Sequence, residues 1–147
     1  MKITHEDLQE IILRHKKFIS GEKGGEKANL KGVDLYGINL AGVDLQGANL
    51  EGAILKRAVL WEANLEGVSL EGANLKHAIL ENANLNGSCL MAACLKGVNL
   101  EHADLRSANL ANADLTDADL IGATYDHKTV WPDNFDPNAA GTVFFID

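Results

Sequence analysis

The side chains of this 147-residue chain that could do chemistry are five histidines, two cysteines and a scatter of carboxylates. His5, His15, His77, His102 and His127 do not pair at metal-ligand spacing. His102 and Asp104 straddle Ala103, but no nucleophile accompanies them as a triad requires. No Gly-x-Ser-x-Gly elbow and no glycine-rich phosphate loop is present. Cys89 and Cys94 are too few for a zinc site, and a cytosolic chain keeps such thiols reduced. These patterns predict no catalytic residue, no metal and no cofactor.

What carries information is the frame around them. Leucine recurs at every fifth position from Leu30 to Leu120, nineteen times, and Tyr125 takes the next slot. Two residues before each of these twenty positions stands a small or branched residue. It is Ala at fourteen, with Val33, Ile38, Val43, Val68, Ser88 and Val98 at the others. Asn or Asp usually precedes the Leu, as in Asn29, Asp34, Asn39, Asp44 and Asn49.

Period five suits neither regular element. On a helix, successive leucines would circle the axis. On a flat strand, they would alternate between faces. A chain that turns a corner every five residues satisfies the pattern, with Leu and the residue two before it inward and the other three outward. Four quarter-turns make a coil of twenty residues. No Lys, Arg, Asp or Glu occupies an inward slot between residues 28 and 125, as a closed apolar shaft demands. Asn and Asp suit a tight corner because they hydrogen-bond nearby backbone and tolerate unusual φ.

Runs such as Ala48-Asn49-Leu50-Glu51-Gly52 and Ala73-Asn74-Leu75-Lys76-His77 carry a resemblance to the pentapeptide-repeat proteins. It covers Ala28 to about His127. The fold that the resemblance implies is an all-β solenoid, a right-handed quadrilateral β-helix. Twenty units correspond to about five coils, a shaft roughly 24 Å tall at the spacing of stacked strands.

Composition narrows the class. The length suits one domain. No apolar run is long enough for a transmembrane helix. The opening Met1-Lys2-Ile3-Thr4-His5-Glu6-Asp7 is unlike a secretory signal, so a cytoplasmic location is expected. A net charge of −8 disfavours nucleic-acid binding.

Stacked coils leave open ends that need capping. Residues 1–27 read as an N-terminal helical cap with a glycine-rich lead-in. Thr4 is placed as N-cap with Asp7 in capping-box position. Leu8, Ile11, Ile12, His15, Phe18 and Ile19 follow helical spacing. Residues 28–127 form the repeat region and 128–147 a C-terminal tail. Five of the eight aromatics lie at its border or within it: Tyr125, Trp131, Phe135, Phe144 and Phe145. The string Thr129-Val130-Trp131-Pro132-Asp133-Asn134-Phe135 resembles tails that close cyanobacterial members of the family. The segment 142–146 has strand propensity. It could lie on its own shaft, or pair with a second copy to make a homodimer.

Residues twenty apart should stack in columns. Lys56, Lys76 and Lys96 share one, with Arg57 and His77 beside them, a candidate surface for an anion. Ile54, Val59 and Ile79 occupy slots that normally hold Asn or Asp, and Trp61 lies outward nearby. Exposed apolar groups of this kind mark protein contacts. The sequence therefore predicts a non-enzymatic scaffold or protein-interaction module, with no membrane or direct nucleic-acid partner. The alternative is a DNA mimic of the gyrase-protecting type, which the resemblance offers. Only five coils, the lack of inserted loops and the lysine column depart from that pattern.

Overall fold

The computed structural model describes residues 1–146. The repeat region is a four-sided coil in which each unit forms one side. Parallel bridges join Asn29 to Asn49, Asn49 to Ser69, Ser69 to Cys89 and Cys89 to Asn109. Three more columns follow the same twenty-residue step, including Asp34 to Ile54 and Asn39 to Val59. The residue before Leu turns both its backbone groups toward the preceding coil. Asn49 N–H donates to Ala28 O at 3.0 Å, and Asn49 O accepts from Leu30 N–H at 2.7 Å. Each neighbour turns one group toward the following coil: Leu50 N–H donates to Ser69 O at 2.8 Å, and Ala48 O accepts from Ser69 N–H at 3.0 Å.

Each corner is a β-turn closed by a bond back to the Leu carbonyl, such as Ala53 N–H to Leu50 O at 3.0 Å. The second residue after every one of the nineteen leucines has positive φ. That is the type II turn, which favours Gly there. Nine corners nevertheless use another residue, among them Arg57, Glu62, His77, Ala92 and His102. The unusual φ thus falls three residues beyond the Asn/Asp slot rather than on it. The Asn/Asp side chain instead braces the way into the corner. Asn49 Oδ1 accepts from Glu51 N–H at 3.0 Å, and Asp44 Oδ1 does the same for Gln46.

The inward slots form one continuous core. Eighteen of the nineteen leucines are buried and Leu115 is half-buried. Burying a leucine side chain contributes about 1.5–3 kcal/mol, so the column supplies most of the driving force. Ser88 is the one polar residue in an inward slot, and its Oγ is buried without a partner.

Helix α1 runs His5–Ile19. Thr4 Oγ1 accepts from Asp7 N–H at 3.0 Å and Asp7 Oδ2 from Thr4 N–H at 3.2 Å, the expected capping box. Leu8 and His15 are buried, and Ile11 and Ile12 pack on the same core. Phe18 departs from its expected place. It lies exposed, stacked on His15 at 6.0 Å between ring centroids. His15 Nδ1 accepts from Ala28 N–H at 2.9 Å, tying the helix to the first unit. Burial holds the His15 pKa below its ordinary value, against an opposing pull from Asp44. Gly25 passes so close to α1 that a Cβ would sit 2.3 Å from Phe18 N. No described helix is long and apolar enough to cross a membrane.

The tail leaves the twenty-residue register. Asn109 pairs with Val130, a step of twenty-one. Strand β1, Thr124–Tyr125, then pairs in parallel with β2, Val143–Phe144, of the same chain. Trp131 and Phe135 stack at 4.9 Å and pack against the core. Phe144 stays at the surface, edge-on to Tyr125 at 5.2 Å.

Asp126 locks this junction. Buried, it accepts from Ser107 N–H at 2.9 Å, Ser107 Oγ at 3.1 Å, Lys128 N–H at 3.0 Å and Thr129 N–H at 3.1 Å. Burial alone would raise its pKa. The converging donors outweigh that and hold it at about 2, below the ordinary 3.8.

Two outcomes follow. Ser88→Ala removes an unpartnered buried hydroxyl and should raise unfolding free energy by about 1 kcal/mol in urea titration; a loss would show that the hydroxyl is bonded. Asp126 contributes stability that is fully present above about pH 4 and is lost as pH falls toward 2, because its folded pKa lies below its unfolded one. Proteolysis of the tail across that window should accelerate in the parent protein. In Asp126→Asn it should already be fast at neutral pH and change little. Equal pH profiles for the two proteins would contradict the assignment.

Candidate functional site

The residues singled out by the sequence fall on two adjacent sides and the corner between them. Ile54 lies on the first side, bridged to Asp34 before it and Asn74 after it. Val59 and Ile79 bridge each other on the second side, between Asn39 and Asn99. Lys56 and Arg57 form the corner joining these sides. The corner repeats on each coil: Gly37 N–H donates to Lys56 O at 2.9 Å, Arg57 N–H to Lys76 O at 3.0 Å and His77 N–H to Lys96 O at 3.0 Å. The lysines are half-buried along their stems, whereas Arg57 and His77 are exposed. The two candidate sites therefore adjoin: Ile54 on one side and Val59 with Ile79 on the next are divided by a basic edge.

Trp61 stands at the next corner, where Gly42 N–H donates to its carbonyl at 2.8 Å. It is 43% exposed, and Ile54 and Ile79 are 39% each. Val59, beside them, is only half-buried. This surface is costly to a shaft that acts alone. An aliphatic residue in the Asn/Asp slot cannot brace the following corner, and it presents apolar area to water. Tyr36 belongs to the same surface and escaped the sequence reading. It is exposed at the foot of the lysine column, and its register, twenty before Lys56, was the available signal.

Beyond Trp61 the corner turns acidic, with Glu81 and then Glu101. The Glu101 pKa is raised, chiefly by Asp119, with Glu81 adding to it. His77 and His102 have a structural use. Each ring lies over the glycine of the next coil, so that a Cβ on Gly97 or Gly122 would meet Nδ1 at 2.4 or 2.3 Å. Among the described residues no group of three or more His, Cys, Asp and Glu could hold a metal. Cys89 and Cys94 are unbridged. A cleft of about 510 Å³ lies at the N-terminal end, between Met1–Ile3, α1 and Glu26–Asn29, and none of the sequence-selected residues lines it.

The chain matches the family model for pentapeptide repeats, with eight copies over residues 26–57, 53–90 and 93–124. Among solved structures it is similar to a pentapeptide repeat protein from the Arabidopsis thaliana thylakoid lumen, at 30% identity over 67% of this chain and 68% of that one, with a TM-score of 0.65. It is also similar to one from Nostoc PCC 7120, at 31% identity over 90% and 93% of the two chains, with a TM-score of 0.37. One from the cyanobacterium Cyanothece 51142 matches at 24% identity over 84% and 99%, with a TM-score of 0.49. No curated protein matches the sequence. With the repeat matched over most of its length and the four-sided coil built on it, the chain belongs to the pentapeptide repeat family, whose fold is the right-handed quadrilateral β-helix.

Proposed function

We propose that this protein is a non-enzymatic scaffold that binds another protein through the surface formed by Ile54, Val59, Trp61 and Ile79. The supporting observation is the replacement of corner-bracing Asn or Asp by exposed aliphatic residues around an exposed tryptophan. Tryptophan is enriched among the residues that anchor protein contacts. The basic edge of Lys56, Arg57, Lys76, His77 and Lys96 gives the surface its sign. A fitting partner offers apolar groups flanked by carboxylates, and that rim sets association rate and salt dependence. The reading includes a shaft of five coils, with α1 and the aromatic tail as caps bounding the domain divisions at 27 and 127. It also includes a cytoplasmic location, no cofactor, and no membrane or nucleic-acid partner. A homodimer through the tail is a weaker element, since β2 already pairs with its own chain.

The DNA-mimic reading draws support from the net charge of −8 alone. The lysine column works against it, because three stacked cations interrupt the negative surface a mimic must present.

Affinity capture from a native lysate tests the first reading. Trp61→Ala should release the captured partner, Lys76→Glu should weaken capture and lessen its salt sensitivity, and Glu71→Ala should change neither. The same partners held equally by all four proteins would remove the proposed surface. A gyrase supercoiling assay addresses the second reading: micromolar protein should leave the reaction unaffected, and inhibition would reverse the ranking.

A further inference from the structure

The N-terminal end of the coil exposes the backbone groups that elsewhere reach down to a preceding coil. On one side the chain satisfies them itself. Met1–Ile3 runs there as an extended segment, Lys2 bridges Asp34 in parallel, and Asp34 N–H donates to Met1 O at 2.7 Å. On the adjacent side Asn29 has no such neighbour. Neither its N–H nor its C=O has a hydrogen-bond partner among the described residues. Both groups point where Asn49 points, toward the missing coil, and there the cleft of about 510 Å³ opens. Asn39 and Asp44 also begin their columns, but neither lines this cleft.

The cleft has an apolar lining from Met1, Ile3, Ile11 and Ala28. Its guanidinium is already committed, since Arg14 pairs with Glu10 at 2.6 Å and Glu26 at 3.3 Å. Asp7 is committed to the capping box. Lys2 and Lys27 also line the cleft and add positive charge at its wall, while the demand left unmet by the backbone is for one acceptor and one donor at strand spacing. Its volume lies within the range of ordinary ligand sites.

We propose that this cleft binds an extended peptide, which adds a parallel strand beneath Asn29. One peptide carbonyl accepts from Asn29 N–H, and the N–H two residues further on donates to Asn29 O. This is the pairing that Ala28 and Leu30 make with Asn49. The two flanking peptide side chains face the apolar lining, so they are apolar, and the one between them faces out. Main-chain bonds would supply affinity and the two inward positions selectivity. The site is independent of the Trp61 surface.

The test is a titration of the full chain, labelled with ¹⁵N, using a blocked peptide of its own unit, Ala-Asn-Leu-Glu-Gly. At millimolar peptide the amides of Asn29, Lys27 and Lys2 should shift. Methylating the peptide's Leu nitrogen should weaken binding by about tenfold, because it removes the donor to Asn29 O. Asn29→Pro deletes an N–H that bonds nothing in the free protein, so its circular dichroism should match the parent while the shifts at Lys27 and Lys2 vanish. The proposal is overturned by no shifts at millimolar peptide, by equal binding of the methylated peptide, by shifts confined to Trp61 or the C-terminal tail, or by undiminished binding to a folded Asn29→Pro.

Discussion

Every coil is tied to the next by the leucine N–H. Leu30 reaches the carbonyl of Asn49, Leu50 that of Ser69 and Leu70 that of Cys89, each at 2.7 or 2.8 Å. The same residue supplies the isobutyl group that fills the shaft. One position in five thus carries both the hydrogen bond that sets the distance between coils and the apolar burial that drives their closure. Neither works without the other. An unpaired leucine N–H inside a dry shaft would cost about as much as its side chain contributes. A paired strand of three residues could not stand without the column behind it.

This coupling explains why the surface is so plainly organised. Once the step is twenty residues, each outward side chain has fixed neighbours one coil away. Charges, imidazoles and aliphatic groups are then arranged in columns by arithmetic. His77 over Gly97 and His102 over Gly122 are the same device at two neighbouring corners. Irregular chemistry is confined to the ends, where the ladder stops. At one end lie the unpaired groups of Asn29 and the buried His15. At the other lie the Asp126 network and the stacked Trp131 and Phe135.

The sides and the inward slots were legible from the leucine spacing, and so were the columns, because a strict period turns sequence separation into spatial adjacency. The capping box at Thr4 and Asp7 was legible too, since it is local. What escaped depends on steps outside the period. Met1–Ile3 fills a side by pairing Lys2 with Asp34, thirty-two residues away. Asp126 gathers donors from Ser107 because the tail shifts register by one residue. Phe18 fits the helical pattern, yet it lies at the rim, stacked on His15, while Leu8, Ile11, Ile12 and His15 take the positions beneath α1. The positive φ at Arg57, Glu62 and Ala92 carries no compositional mark, because the ladder overrides the local preference for glycine at those corners.

From Leu30 to Leu105, each repeat leucine N–H donates to the carbonyl of a residue nineteen further along the chain. Scalar couplings measured across hydrogen bonds by NMR report donor and acceptor pairs directly. The account predicts couplings from Leu60 N to the Ile79 carbonyl and from Leu80 N to the Asn99 carbonyl. Couplings that link these leucines to carbonyls at any other separation, or amides in the middle of the repeat that exchange freely with solvent, would contradict it.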